Sequence, residues 1–208
     1  MAGYRLYGWR QTGSMAIEAA LAEAGVPHEF VPVSRTTNEN RGPAFTLINP
    51  RQQLPALMLP DGTVVTEGPA ILSHIADAFP QTHLAPPPGS SARATHDRWT
   101  AFFHANVYEA MLRQIAPARY TTDRAGAGAV KDAADIYLNR HFLIFEHELG
   151  DGPYLFGAEI AMFDIYLWML TWWMDAGWLA ANCPRIRRLA DAASARPHMV
   201  PVIARHFG

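Results

Sequence analysis

The chain has 208 residues, half of them apolar, and a formal net charge of -2. That length and composition can bury one large core or two small ones, while the near-neutral charge without a Lys/Arg-rich run gives no electrostatic footprint for nucleic acid or an anionic membrane. The single cysteine, Cys183, offers no disulfide framework, and the start MAGYRLYGW lacks the charged and apolar regions of a secretory signal, so the cytoplasm is the expected compartment.

Arg5-Leu6-Tyr7 reads as a first strand, followed by a loop from Gly8 to Gly13. Ser14 then begins a helix with Ile17, Ala20, Leu21 and Ala24 on its apolar face, and Gly25 ends it. His28 to Val33 alternates as a second strand, so the pattern predicts a β-α-β unit with a parallel pair. Ser34 to Ile48 shows no clear period.

The stretch from Asn49 to Leu72 carries the strongest local signals. Ala56-Leu57-Met58-Leu59 and the β-branched Thr63-Val64-Val65-Thr66 flank Pro60-Asp61-Gly62, which spells a hairpin. Pro55 stands at the entry of the first of these strands, where it costs no ladder bond, and a cis Leu54-Pro55 bond fits that place. Pro69 at the first helical position makes Gly68 the expected N-cap and leaves amides facing outward, a ready anion site. The helix behind it buries Ile71, Leu72, Ile75, Ala76 and Phe79 and stops at Pro80.

Residues 81–92 are rich in Pro, Gly and Ser and read as a linker, beyond which no convincing strand occurs. Trp99, Phe102, Phe103, Val107, Met111 and Ile115 follow helical spacing up to Pro117, and a further helix is expected from about Arg124 to Leu149. Ile160 to Met174 is strongly apolar, but it is shorter than the roughly 20 residues a bilayer needs, and Asp164 interrupts it. It reads as a buried core helix, with further helical segments flanking Pro184 and Pro197. The expected class is therefore α/β followed by all-α, with an N-terminal domain over residues 1–80, the linker over 81–92 and a helical domain over 93–208.

Pro55 entering a hairpin, Glu67 at the following strand-helix junction, and the order β-α-β, hairpin, helix, helical domain together resemble the cytosolic glutathione transferases over nearly the whole chain. The loop Gly8-Trp9-Arg10-Gln11-Thr12-Gly13-Ser14 is similar to that of bacterial and serine-type members, except that the cysteine of the beta class falls near Gly13 and is missing. The resemblance implies a thioredoxin-like first domain that binds glutathione as co-substrate and a second domain that supplies an apolar pocket. It further implies thiolate attack on a small hydrophobic electrophile, a detoxification role, a homodimer, and neither a metal nor a nucleic-acid or membrane partner. A glutathione-dependent disulfide or peroxide reductase, and a non-catalytic binding protein on the same fold, are the alternative readings.

Within that resemblance Glu67 would take the glutamyl ammonium and the amide of Gly68 its carboxylate, although the family pattern has Ser where Gly68 stands. Leu54, before Pro55, would pair its backbone with glutathione like an added strand, with Gln53 and Arg51 at the rim. A free thiol is only a few per cent thiolate at neutral pH, so activity needs a donor aimed at sulfur. Ser14 and Thr12 are the short hydroxyls in place for that, with Ser14 preferred and Thr12 next, and Ser14 is equally a good helix cap; Tyr7 reads as a strand residue. Trp9, His104 and Tyr108 are the candidates for the hydrophobic-substrate pocket. Gly157 to Ile165 resembles the family's capping box with Ala161 at the cap position, so only the Asp164 half of the reciprocal bond is expected. The nine histidines include no metal-ligand spacing.

Overall fold

The computed structural model describes residues 3–208. Its first part runs β1 Tyr4–Gly8, α1 Ser14–Glu23, β2 His28–Pro32, a 3-10 turn Glu39–Arg41, α2 Pro43–Ile48, β3 Ala56–Met58, β4 Val64–Thr66 and α3 Gly68–Ala78. After a 3-10 turn at Pro80–Thr82 the regular elements are helical. They are α4 Ser91–Phe102, a π-helical segment Phe103–Tyr108, α5 Glu109–Ile115, α6 Ala127–Glu146, α7 Met162–Thr171, α8 Ala176–Asn182, α9 Pro184–Ser194 and α10 Met199–Phe207.

The four strands order as β2-β1-β3-β4. β1 pairs parallel with β2 and antiparallel with β3, and β3 pairs antiparallel with β4. The parallel pair and the hairpin are those that the β-α-β and hairpin signals predict, and the sheet they form together is the thioredoxin-like one that the family resemblance implies. The crossover helix α1 closes with a complete Schellman motif, because Gly25 at φ 64 lets Gly25 N donate to Ala22 O and Val26 N to Leu21 O. The hairpin turn forms where Pro60-Asp61-Gly62 places it, with Gly62 at φ 89 and Asp61 Oδ1 accepting from Thr63 N at 2.8 Å.

Three local expectations shift. Ser34 to Ile48 contains the 3-10 turn and the short α2, in which Phe45 alone is buried. One buried position in six residues leaves no period to read. Helix α3 begins one residue earlier than its proline suggests: Glu67 occupies the cap position at φ 65 and ψ 112, and Gly68 is already helical. A proline is tolerated at either of the first two helical positions, since neither amide has an intrahelical partner. Helix α1 begins at Ser14 as expected, but Gly13 is its cap, with no side-chain cap bond, so Ser14 does not act as the cap.

The chain divides into two compact units, one formed by residues up to Pro87 together with Ala192–Gly208, the other by Pro88–Asp191. The final helix thus belongs with the sheet and not with the helical unit, unlike the expected span of 93–208. Its physical cause lies on α1, where Glu18 receives Arg205 Nε at 2.6 Å and faces His206 Nε2 at 3.0 Å.

The helical unit is centred on Trp99, Phe103, Phe142, Phe145 and Phe163, which meet edge-on at centroid distances from 4.8 to 5.7 Å. Every residue of α7 is buried, as expected for the apolar stretch after Ile160. Asp164 is itself fully buried and closes the helix start, with Oδ2 accepting from Ala161 N at 2.8 Å and Oδ1 from Leu155 N at 2.9 Å. Ala161 returns no bond, so half of the capping box operates. Among the described residues no helix is long and apolar enough to cross a membrane.

Candidate active site

The register of the sheet decides which candidates meet. Tyr7 stands opposite Ala56, and Ala56 opposite Thr66. The loop after β1 therefore adjoins Pro55 on one side, and Glu67 adjoins it on the other. The Leu54-Pro55 bond is cis. Ladder pairing stops at Ala56, so the backbone of Leu54 lies outside the sheet's own hydrogen bonding. Its side chain packs with Tyr7, Ile48 and Val64 against Val33, Phe45 and Ala56. Tyr7 is half-buried with its ring 6.2 Å from that of Phe45, which fits the reading of Tyr7 as a strand residue.

The segment leading to Leu54 is held by Asn49, whose side chain is buried. Asn49 Nδ2 donates to Gln53 O at 2.8 Å and its Oδ1 accepts from Arg51 N at 3.0 Å. Asn40 adds a bond from Nδ2 to Gln52 O at 2.8 Å. Arg51 and Gln53 are exposed, and Arg51 Nη1 reaches Glu67 Oε1 at 2.5 Å. Positive and negative groups thus stand side by side where the start of α3 presents its amides. No side chain caps that helix. A ligand carrying both an ammonium and a carboxylate would find a partner for each.

Backbone strain marks the same place. Glu67 at φ 65, Gln52 at φ 58 and Gln11 at φ 54 are non-glycine residues in the left-handed region. Each such residue costs on the order of 1 kcal/mol and persists only where its surroundings over-determine it.

Within the loop, Trp9, Thr12 and Ser14 form one closed network. Ser14 Oγ accepts from Trp9 N at 3.2 Å and donates to Trp9 O at 3.0 Å, and Thr12 Oγ1 donates to the same carbonyl at 2.9 Å. The two hydroxyl oxygens are 2.9 Å apart. Ser14 is 0 % exposed and Thr12 6 %. The tight fit extends to Gly8, where an added Cβ would lie 2.6 Å from Ser14 Cβ and Oγ. Ser14 is thereby committed on both its donor and acceptor sides. Thr12 Oγ1 also accepts from Ser14 N, at a longer 3.4 Å, and its hydrogen shares an acceptor with that of Ser14, so the carbonyl of Trp9 stays satisfied when the Thr12 O–H turns away.

His104 and Tyr108 lie in the helical unit, on the π segment. Nδ1 of His104 is 2.9 Å from the hydroxyl of Tyr166. Tyr108 stacks on Tyr166 at 6.4 Å and 14° and meets Trp173 edge-on at 5.7 Å. A π segment inserts an extra residue into the helix and re-aims the side chains after it, which often accompanies a functional surface.

Several positioning residues escaped the sequence reading. Asn49 was legible as the start of an Asn-Pro turn, but its two bonds to the following loop were not. Tyr166 and Trp173 are hidden in an apolar run that reads as core, and Glu18 and His206 are separated by most of the chain.

The family model for the glutathione S-transferase N-terminal domain matches residues 2–77. The uncharacterized GST-like protein YncG of Escherichia coli (strain K12) is 30% identical over 204 residues, covering 97% of this chain and 98% of its own length. A maleylacetoacetate isomerase of Pseudomonas aeruginosa is 26% identical and covers 91% of this chain and 90% of its own. Among solved structures, a glutathione transferase homologue from Sulfitobacter with bound glutathione superposes with a TM-score of 0.90 at 26% identity, covering 98% of both chains. With that identity to YncG spread over nearly its whole length, the chain belongs to the glutathione S-transferase family.

Proposed function

We propose that the protein is a glutathione S-transferase that binds glutathione at the Pro55 end of its sheet and aims its thiolate at a small hydrophobic electrophile. The observation that carries this reading is the convergence, set by strand register, of an unpaired backbone at Leu54, the Arg51–Glu67 pair at the start of α3, and a braced loop at the start of α1. The Sulfitobacter structure, with glutathione bound on the same fold, supports it.

In this reading Leu54 pairs with the cysteinyl backbone, Glu67 takes the glutamyl ammonium, and the Gly68 amide with Arg51 takes a carboxylate, with Gln53 at the rim. Thr12 turns its hydroxyl to sulfur, while Ser14 keeps the carbonyl of Trp9 satisfied and holds the loop. Lowering the thiol pKa by about two units takes roughly 2.7 kcal/mol, which one aimed hydroxyl and the positive end of the α1 dipole supply together. Within the helical unit, His104 and Tyr108 offer the electrophile a mixed polar and aromatic surface with Tyr166 and Trp173; Trp9, in the first unit, stands in the loop that holds the thiol. The thiolate forms the new carbon-sulfur bond, and the electrophile's leaving group departs with the bonding pair. A homodimer and a cytoplasmic location are part of the same proposal; sedimentation at micromolar concentration tests the first.

Isomerisation is the second reading, favoured by the isomerase from Pseudomonas aeruginosa. There the same thiolate would add to a conjugated double bond and leave again, regenerating glutathione. Assays with chlorodinitrobenzene, with a maleyl-type diacid and with a glutathione mixed disulfide separate the outcomes. Conjugate formation above the uncatalysed rate is expected. Turnover of the disulfide alone would replace the transferase with a reductase, and binding without any turnover would leave a binding protein.

A further inference from the structure

The loop that carries Thr12 and Ser14 is also held from outside, by the last helix. His206 Nδ1 accepts the amide hydrogen of Gln11 at 3.1 Å, and His206 Nε2 lies 3.0 Å from Glu18 Oε2. Both side chains are shut away from water, His206 at 0 % and Glu18 at 5 % exposure. A ring nitrogen that accepts an amide proton carries none of its own, so the imidazole hydrogen sits on Nε2 and is donated to the carboxylate. Glu18 in turn is fixed through its other oxygen by Arg205 Nε at 2.6 Å, and Arg205 lies over the Phe30 ring, 5.2 Å from its centroid. Arg10 ties the neighbouring residue to the carbonyl of Gly208.

Gln11 is one of the strained residues, at φ 54. Its amide is directed by a single lone pair whose availability depends on a buried carboxylate of the helix that follows, Glu18. The geometry points to His206 as a positioning residue for thiol activation: in the Nε2–H tautomer set by Glu18, it holds Gln11 in its left-handed conformation and so fixes where Thr12 and the start of α1 stand. Glu18 sits one helical turn beyond Ser14 on α1, so the clamp joins the front of that helix to the loop feeding it. This inference rests on the glutathione transferase reading, and it adds a residue from the far end of the chain to the machinery of the loop.

The test uses two substitutions that divide the functions of the ring. In His206→Asn the side-chain oxygen falls near the place of Nδ1 and still accepts from Gln11; in His206→Gln the amide nitrogen falls near Nε2 and the acceptor is lost. Arg196→Ala serves as the control, because Arg196 pairs bidentately with Glu23 at 2.7 and 2.9 Å and so ties the same tail to the far end of α1. Amide hydrogen exchange of Gln11 is read without glutathione, and the thiol titration and kinetic constants with it. Losing one hydrogen bond predicts Gln11 exchange roughly tenfold faster in His206→Gln. The apparent thiol pKa should rise in the same variant and kcat fall about tenfold, with both near the parent value in His206→Asn and Arg196→Ala.

An unchanged Gln11 amide in His206→Gln overturns the proposal. So does an equal loss in Arg196→Ala, which would show only that loosening the tail matters. Nitrogen NMR of the unsubstituted protein needs no variant to fold: a proton on Nδ1 of His206 contradicts the clamp outright. A protected Gln11 amide and an Nε2–H tautomer in a protein that leaves the glutathione thiol at its ordinary pKa would instead overturn the glutathione reading, and this proposal with it.

Discussion

Asp164 allows a stability prediction with a sign. Its carboxylate is fully buried and accepts two backbone amides, from Leu155 and Ala161. Burial outweighs those two donors and pushes its pKa up from 3.8 to about 7. A folded-state pKa above the unfolded one means that the folded protein holds the proton more tightly. The stabilisation is full below the unfolded value and is lost as pH rises through the folded one. Between pH 5 and pH 8 that loss integrates to about 3 kcal/mol. In Asp164→Ala the term vanishes, while two buried amides lose their acceptor at roughly 1–3 kcal/mol each. The substitution should therefore cost several kcal/mol at pH 5 and about 3 kcal/mol less at pH 8. Urea unfolding of both proteins at the two pH values measures the difference. A cost that is equal at both, or larger at pH 8, would refute the claim that burial dominates the two hydrogen bonds.

Arg51→Ala should raise KM for glutathione about tenfold with kcat little changed, because in the proposed site Arg51 binds and does not activate the thiol; steady-state kinetics decide. The same change should leave Tm nearly unmoved, since the Arg51–Glu67 pair is largely exposed. Gly8→Ala puts a Cβ 2.6 Å from Ser14 Cβ and Oγ and 3.0 Å from Phe30 Cε2, so thermal unfolding should reveal a loss of about 1–3 kcal/mol, together with reduced activity. Cys183 is 0 % exposed, and burial with the Glu146 charge pushes its thiol up to about 12. Native protein should leave an aromatic disulfide reagent unreacted, and denatured protein should consume one equivalent.

Most of the fold was legible because its signals are local. Gly25, Pro60-Asp61-Gly62 and Pro80 punctuate the first unit where helices and turns end. Trp99, Phe103 and the run around α7 carry helical spacing into the second. What was missed depends on long-range partners. The placement of α10 beside the sheet rests on Glu18 meeting Arg205 and His206, a contact that no window of sequence contains. The candidate site divides along the same line. Pro55, Glu67 and the loop before α1 announce themselves through backbone chemistry, and strand register then makes them neighbours. Sequence position alone prefers Ser14 to Thr12, since both are short hydroxyls at one helix start; their differing engagement with Trp9 gives the grounds for proposing Thr12 instead. The π segment that carries His104 and Tyr108 has no proline or glycine to betray it.

The central claim is that this loop activates a bound thiol, and an ultraviolet difference titration of glutathione on the protein, repeated with Thr12→Val, tests it most directly. The thiolate band of the parent protein should titrate about two units below the free-thiol pKa of roughly 8.5, and removal of the Thr12 hydroxyl should raise that midpoint by about one unit. Glutathione that binds to the parent protein and titrates at its ordinary pKa would contradict the account.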